Sequence, residues 1–443
     1  MIQAVSDVLR LMQVYGATRF YAKKLAPNDN SKNQIYLGGD LSALNVIPYK
    51  SIYTDSSDTA ASKRDRAKAD INFAWVDEEG CFPCPGAQLI LYPKYPEVRM
   101  SGLLKGCHKA PREVIAARDE GRTLIFGVTQ DGRVLGYAAN GAHAVSREMN
   151  SRTDLHQIGV FIELSTYSLS SDSKTILLTK LQEIYRKHWI SAQKLGSDGV
   201  LHPYMGTNAG GYTLEAELGI SPNGYSEPDY LGWEIKQYGV NDFNTFRPKS
   251  PVTLMTPEPT GGIYRTEGVE HFIRQFGYPD TRGRPDRRNF GGIYDSIRSF
   301  HARTGLKLEL VGIDEVTGKI TDMQGGVFLV SRKDEIAASW GFSGMMEHWN
   351  RKHAKAAYIP SLSRKTPPGY CYGPKVLLCE KTDFSLFLEA MIAGKIYYDP
   401  GIKMEGASSG KPKIKRRSQF RVKHSSLKCL YHLQEEVTLT LLR

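Results

Sequence analysis

Three ionisable residues, Asp229, Glu234 and Lys236, fall within eight positions of "EPDYLGWEIKQYG" (227–239). Along a strand, side chains alternate faces. Read as a strand, the stretch puts Glu234 and Lys236 on one face and packs Trp233 and Ile235 on the other. Gly232 can supply a bend that brings Asp229 back towards Glu234. Two carboxylates beside one ammonium suit Mg²⁺, which takes oxygen ligands and keeps several waters. A cation there can lower the pKa of a bound water and offset the charge of a phosphate. The lysine can orient or help deprotonate an attacking water and stabilise charge on a pentacovalent phosphorus.

Asp, Glu and Lys are common, so this spacing also fits an ordinary solvated strand. Two further features favour chemistry. Glu-x-Lys occurs only here, and the related Asp172-Ser-Lys174 sits in a Ser-rich break without strand context. Upstream, Glu215 in "YTLEAELGI" reads as part of a short helix that can aim a third carboxylate at the same metal.

Other residue groups suggest binding. Arg247 and Lys249 in "RPKSP" closely follow the strand and are expected to meet a phosphate backbone. "SGMMEHWNRKHAKAA" (343–357) reads as a helix whose basic face meets DNA, with Trp340 and Trp349 packed behind it. Lys352 and His353 are its expected groove or phosphate contacts, since imidazole can donate to or accept from a base edge. His348 and His353 are five apart and do not share a helical face well enough for a metal site. Cys81, Cys84, Cys107 and His108 have zinc-ligand chemistry. Their second half is not a tight C-x-x-C, so buried or loop thiols are the preferred reading.

The elements that must position these groups fall in two parts. Length alone, 443 residues, implies two or three domains. Residues 1–165 read as β-rich: a hairpin in "TLIFGVTQDGRVLGYAANG" turning at Gln130-Asp131-Gly132, with further strands in "QLILYPKYPEVRMSGLL" and "QIGVFIELS". A Ser-rich break at 165–174 suggests a boundary. Next, "KTILLTKLQEIYRKHWISAQKLG" has Leu177, Leu181, Ile184 and His188 at helical spacing, with Gly196 as the expected stop. Residues 166–200 are thus taken as linker and helix, and 201–443 as a mixed α/β region. In that region "GGIYDSIRSFHARTG" (291–305) reads as helical, and "LKLELVGID", "GGVFLVS" and "KVLLCEK" as strands.

Bulk properties narrow the class. A net charge of +11 with basic clusters at 62–70, 281–288 and 411–424 points to a polyanionic partner. Six cysteines in this length do not form a disulfide framework. No apolar run is long enough to span a bilayer. "MIQAVSDVLRLMQVYG" reads as an amphipathic helix and makes a poor secretory signal, so a cytoplasmic protein is expected.

Together, "TLEAELG" and "PDYLGWEIK" resemble the PD-(D/E)XK nuclease signature, and more narrowly the MvaI/BcnI restriction endonucleases and their relative MutH. Leu214-Glu215 and Leu218-Gly219 match the helix, Asp229 the first metal ligand, and Glu234 and Lys236 the strand pair. Residues 253–259, 339–360 and 383–403 are similar to later stretches of the group, so the resemblance runs from about 175 to the C-terminus. It implies an α/β (α+β) PD-(D/E)XK core, a mixed central sheet flanked by helices, with a separate β-rich N-terminal domain. It also implies Mg²⁺-dependent hydrolysis of double-stranded DNA, with Mn²⁺ able to substitute. Asp229 and Glu234 would hold the metal, Lys236 would serve the water and Glu215 would support the site. A monomer acting in restriction or phage defence is expected, with a cognate methyltransferase as genetic partner. The alternatives are a MutH-like repair nickase working with partner proteins, and a DNA-binding protein with an inactive nuclease core. The N-terminal domain has no counterpart in the compact members; its aromatics and cations suit a second DNA reader, and a scaffold or a contact for a partner subunit fits it equally.

Overall fold

Apolar residues three and four apart at the N-terminus produce the expected amphipathic helix, Val5–Val14. Val5, Val8, Leu9 and Met12 enter a core with Ile125, Leu135 and Ile162. In this computed structural model the described residues are 2–27, 33–39, 41–54, 66–92, 97–152, 157–164, 173–221 and 229–441, the side chains of Ser42, Arg351 and Leu441 aside. Parts of the basic cluster at 62–70, residues 93–96 and most of the Ser-rich break lie outside them. The chain divides into two compact units, Met1–Asp172 and Ser173–Arg443.

In the first unit the helix packs on a seven-stranded sheet built around Ala17–Lys24, Thr123–Thr129 and Val134–Ala139. The last two strands form the expected hairpin, with Val128 opposite Val134. Gly132 supplies the positive φ its turn needs. Ile35–Tyr36, Glu97–Ser101, Gln88–Tyr92, Ala67–Asp70 and Ile52–Thr54 make a second, five-stranded sheet.

The second unit is mixed α/β. Strand Lys355–Lys365 is its spine. It pairs antiparallel with Pro368–Tyr372 and Lys375–Glu380, and parallel with Glu234–Gly239. Helix Ser173–Arg186 buries Leu177, Leu178, Leu181 and Ile184 in the same core as Trp233, Ile235 and Leu378. A helix expected to be a linker is therefore part of the core beneath the charged strand.

Two helix expectations are corrected. The first helix ends at Arg186, not at Gly196. His188 takes a positive φ, and Ile190–Ser191 joins the sheet opposite Pro368–Tyr372, with Ala192 N–H bonded to Pro368 O. Residues 292–305 contain no helix. Tyr294 there exchanges backbone hydrogen bonds with Tyr398, and Ser296 Oγ donates to the carbonyls of Met391 and Ile392 at the end of helix Phe384–Ile392. Long-range pairing thus replaces the local helical bonds, and Ile297 is left 70% exposed.

Beyond the spine sheet, the described residues of this unit form four smaller ones, of which Gln193–Leu195 and Leu201–Pro203 make a two-stranded pair. Leu306–Val311, Gly326–Ser331 and Ile336–Gly341 form the second, with the first two strands where expected. Val252–Met255, Phe420–Val422 and Ile396–Tyr398 form the third, and Tyr278–Pro279, Arg287–Gly291, Gly401–Glu405 and Lys413–Lys415 the fourth. Among the described residues no helix is long and apolar enough to cross a membrane.

Candidate active site

The charged stretch is shaped by a two-residue turn. Leu231 and Gly232 both take positive φ, 49° and 85°. Tyr230 and Trp233 exchange backbone hydrogen bonds of 2.9 and 2.8 Å across them. Two consecutive left-handed residues favour glycine, because a Cβ strains that conformation. The turn brings Asp229 back alongside the strand, where its Oδ2 accepts the Ile235 N–H at 3.0 Å.

Strand alternation then separates the side chains. Trp233 and Ile235 are buried in the apolar core. Glu234 enters the opposite side and is 1% exposed, while the Lys236 side chain is 23% exposed. Lys236 Nζ donates to Glu234 Oε1 at 2.5 Å. Glu234 Oε2 is buried and has no hydrogen-bond partner among the described residues. Parallel pairing sets Glu234 beside Ala356, just past the end of helix Phe342–His353. That neighbour brings Lys352 Nζ to 3.8 Å from Glu234 Oε1.

Glu215 comes from helix Ala209–Glu217, which stops as Leu218-Gly219 led one to expect. Gly219 has φ 77°, its N–H bonds Ala216 O, and Ile220 N–H bonds Glu215 O at 2.8 Å. Leu214 and Leu218 lie in the core with Trp233, so the helix is seated against the strand. Burial, then repulsion from Asp229, pushes the Glu215 carboxyl up to about 7. Burial and the Glu234 charge push Asp229 up to about 6. Burial would also raise Glu234, but Lys236 and Lys352 outweigh it and hold its pKa below the ordinary value. Burial disfavours the Lys236 charge, yet Glu234 keeps its pKa above the ordinary lysine value. The site thus gathers three carboxyl groups and two ammonium groups, two of the acids being raised by burial and then by a neighbouring carboxylate.

This donor set fits a hard divalent cation. Glu234 offers a desolvated oxygen without a partner, and Asp229 is a carboxylate whose ionisation the surroundings oppose. No group of three or more His, Cys, Asp or Glu side chains is arranged to hold a metal among the described residues. An ion that keeps water ligands needs only a pair of protein carboxylates. At the other candidate, Cys81, Cys84, Cys107 and His108 form no such group. Cys84 Sγ lies 3.2 Å from Leu103 O, and burial, then Cys107, pushes its thiol up to about 11. Cys107 Sγ points to Phe82 O, and His108 is exposed.

The expected DNA contacts separate into three outcomes. Arg247 and Lys249 are exposed, and Lys249 N–H bonds Gly239 O, which folds their loop back onto the end of the charged strand. Lys352 belongs to the carboxylate cluster, a role its sequence position does not reveal. His353 is corrected: it is fully buried and cannot meet a base edge. Its ring stacks on Trp349 at 4.1 Å, its Nε2 lies 3.0 Å from Leu254 O and its Nδ1 3.1 Å from the Tyr431 hydroxyl. Burial, then the Lys236 charge, lowers its pKa to about 4, so it is neutral. On this helix residue 353 faces the core. The neighbouring Lys352 side chain is 26% exposed.

Comparison with known proteins defines the class. The MvaI/BcnI restriction endonuclease family matches residues 178–431, which include the whole cluster. The enzyme is a type II-like restriction endonuclease. The chain belongs to the MvaI/BcnI restriction endonuclease family. Among solved structures it is similar to "Restriction endonuclease MvaI-cognate DNA substrate complex", with 18% identity and a TM-score of 0.45 over 61% of this chain and 99% of that one. "Restriction endonuclease MvaI in the absence of DNA" matches with 17% identity and a TM-score of 0.34, over 61% of this chain and all of that one. None of the curated proteins compared with the chain matches it.

Proposed function

We propose that the chain hydrolyses phosphodiester bonds of double-stranded DNA with Mg²⁺ at a PD-(D/E)XK site, as a sequence-specific restriction or defence nuclease. The observation that carries this reading is the buried Glu234, with one oxygen bonded to Lys236 and the other without a partner, beside Asp229. Asp229 and Glu234 hold the cation. When bound, it lowers the pKa of a water and offsets phosphate charge. Lys236, kept protonated by Glu234, orients the attacking water and faces the charge that develops on the phosphate. Lys352 adds a second positive charge, and Glu215 supports the acidic side. Arg247 and Lys249 meet the backbone of the bound duplex. The unit Met1–Asp172 acts as an accessory DNA reader.

Wild type and Lys236→Ala are incubated with methylated and unmethylated plasmid in Mg²⁺ or Mn²⁺, and the ends are sequenced. The wild type should cut at defined sites, with methylation protecting them. The variant should lose at least about 100-fold in rate while still retaining plasmid in a gel shift. Cutting by the variant at the wild-type rate refutes the assignment. Cutting by the wild type only with a second protein present would favour a repair nickase.

A further inference from the structure

Two basic clusters far apart in sequence, 281–288 and 411–424, are brought together in the second unit by one four-stranded antiparallel sheet. Its inner face is apolar: Phe290, Ile402 and Met404 are at most 1% exposed. Its outer face is cationic. Register pairs Asn289 with Lys403 and Lys403 with Lys415; on the next row it pairs Arg287 with Glu405 and Glu405 with Lys413. The one acid in these rows, Glu405, is engaged by Arg287 at 3.3 Å and Arg284 at 3.5 Å. Lys403, Lys413 and Lys415 are exposed. No ion pair joins them to an acid among the described residues.

Like charges directly opposite each other on neighbouring strands destabilise a sheet. Lys403 facing Lys415 is such a pair, and the row they share with Asn289 carries no acid. The loops around the face are nonetheless fastened together. The Asp286 carboxylate accepts from Ser408 N–H at 2.8 Å and Ser408 Oγ at 2.9 Å, and Asp286 O accepts from Ala407 N–H. The fold thus holds a repulsive row of lysines in a defined geometry, and a polyanion relieves the repulsion.

We propose that this outer face grips the phosphate backbone of duplex DNA, with Lys403, Lys413 and Lys415 as contacts that set position and carry no base preference. The proposal rests on the reading that the chain acts on double-stranded DNA. Each phosphate contact contributes about 0.9 to the slope of log affinity against log salt. The full-length wild type is compared with K403Q/K413Q/K415Q and the charge-preserving K403R/K413R/K415R. Duplex affinity is measured between 50 and 200 mM salt with Ca²⁺ in place of Mg²⁺. The glutamine variant should lower the slope by about 2.7, so that the wild type loses about 40-fold more affinity across that range. The loss should be the same for duplexes of different sequence, the arginine variant should keep the wild-type slope, and neither variant should melt earlier. A glutamine variant with the wild-type slope, or one that loses affinity for a single sequence only, overturns the proposal. Wild-type cleavage in Mg²⁺ is scored separately: a wild type that binds with the expected slope but never cuts refutes the nuclease reading and leaves the clamp standing.

Discussion

In the metal-free protein, Asp229→Asn should stabilise the fold and abolish its response to Mg²⁺. Asp229 is raised from an ordinary 3.8 to about 6, chiefly by burial and by Glu234. Between those values the folded protein keeps a proton that the unfolded chain has lost, so stability falls as pH rises from about 4 to about 6. Above that window the full penalty is present, about 3 kcal/mol from the size of the shift. Asp229 is partly exposed, and solvent screening reduces the expected gain to about 2 kcal/mol. Asparagine removes the charge and keeps an oxygen for the Ile235 N–H. The assay is urea unfolding in EDTA at pH 4, 6 and 8, followed by tryptophan fluorescence, since four of the five tryptophans lie in the second unit. The variant should exceed wild type by about 2 kcal/mol at pH 8 and converge with it near pH 4. Mg²⁺ at a hundred times its dissociation constant should then stabilise wild type by about 2.7 kcal/mol and leave the variant nearly unmoved. Equal stability of the two at pH 8 would refute the electrostatic reasoning. Equal stabilisation of both by Mg²⁺ would remove Asp229 from the metal site.

Three further outcomes are expected. Gly232→Ala forces a Cβ into a left-handed position and should cost about 1–2 kcal/mol; the displaced Asp229 should slow cleavage by about 10–100-fold. Wild-type kinetics in that variant would show that the turn does not set the site. His353→Phe leaves Leu254 O without its partner and should destabilise by about 1–3 kcal/mol in denaturant melts, with DNA affinity unchanged; a fully stable variant with weakened DNA binding would restore His353 as a contact. Lys23 is buried in the first unit, which lowers its pKa to about 8. Its charge therefore destabilises the fold below about pH 8, and stability should rise between about pH 8 and 10.5. Lys23→Met should gain about 2–3 kcal/mol at pH 7 and nothing above pH 10.5; a variant less stable than wild type at pH 7 would contradict the burial argument.

Local pattern made much of this protein legible. The alternation Trp233–Glu234–Ile235–Lys236 was enough to separate a packed face from a charged one, and Gly232 marked the bend. Leu218-Gly219 marked the end of the Glu215 helix, and the 3.6-residue period marked Val5–Val14 and Ser173–Arg186. These features depend on backbone geometry within a few residues, which sequence spacing encodes directly. Segment 291–305 read as a helix because its apolar spacing permits one, and pairing with Tyr398 overrode that local preference.

Sequence alone therefore picked out the residues proposed to do chemistry: an Asp, a Glu and a Lys placed by one turn and one strand, with Glu215 on a capped helix. Tertiary structure decided how they act together. Parallel pairing with Lys355–Lys365 carries Lys352 to Glu234 and turns His353 inward, and burial leaves one Glu234 oxygen without a partner among the described residues. Antiparallel register likewise joins two distant basic clusters into one face. Neither effect is visible in one segment, because strand partners and desolvation depend on which distant chain comes to lie alongside.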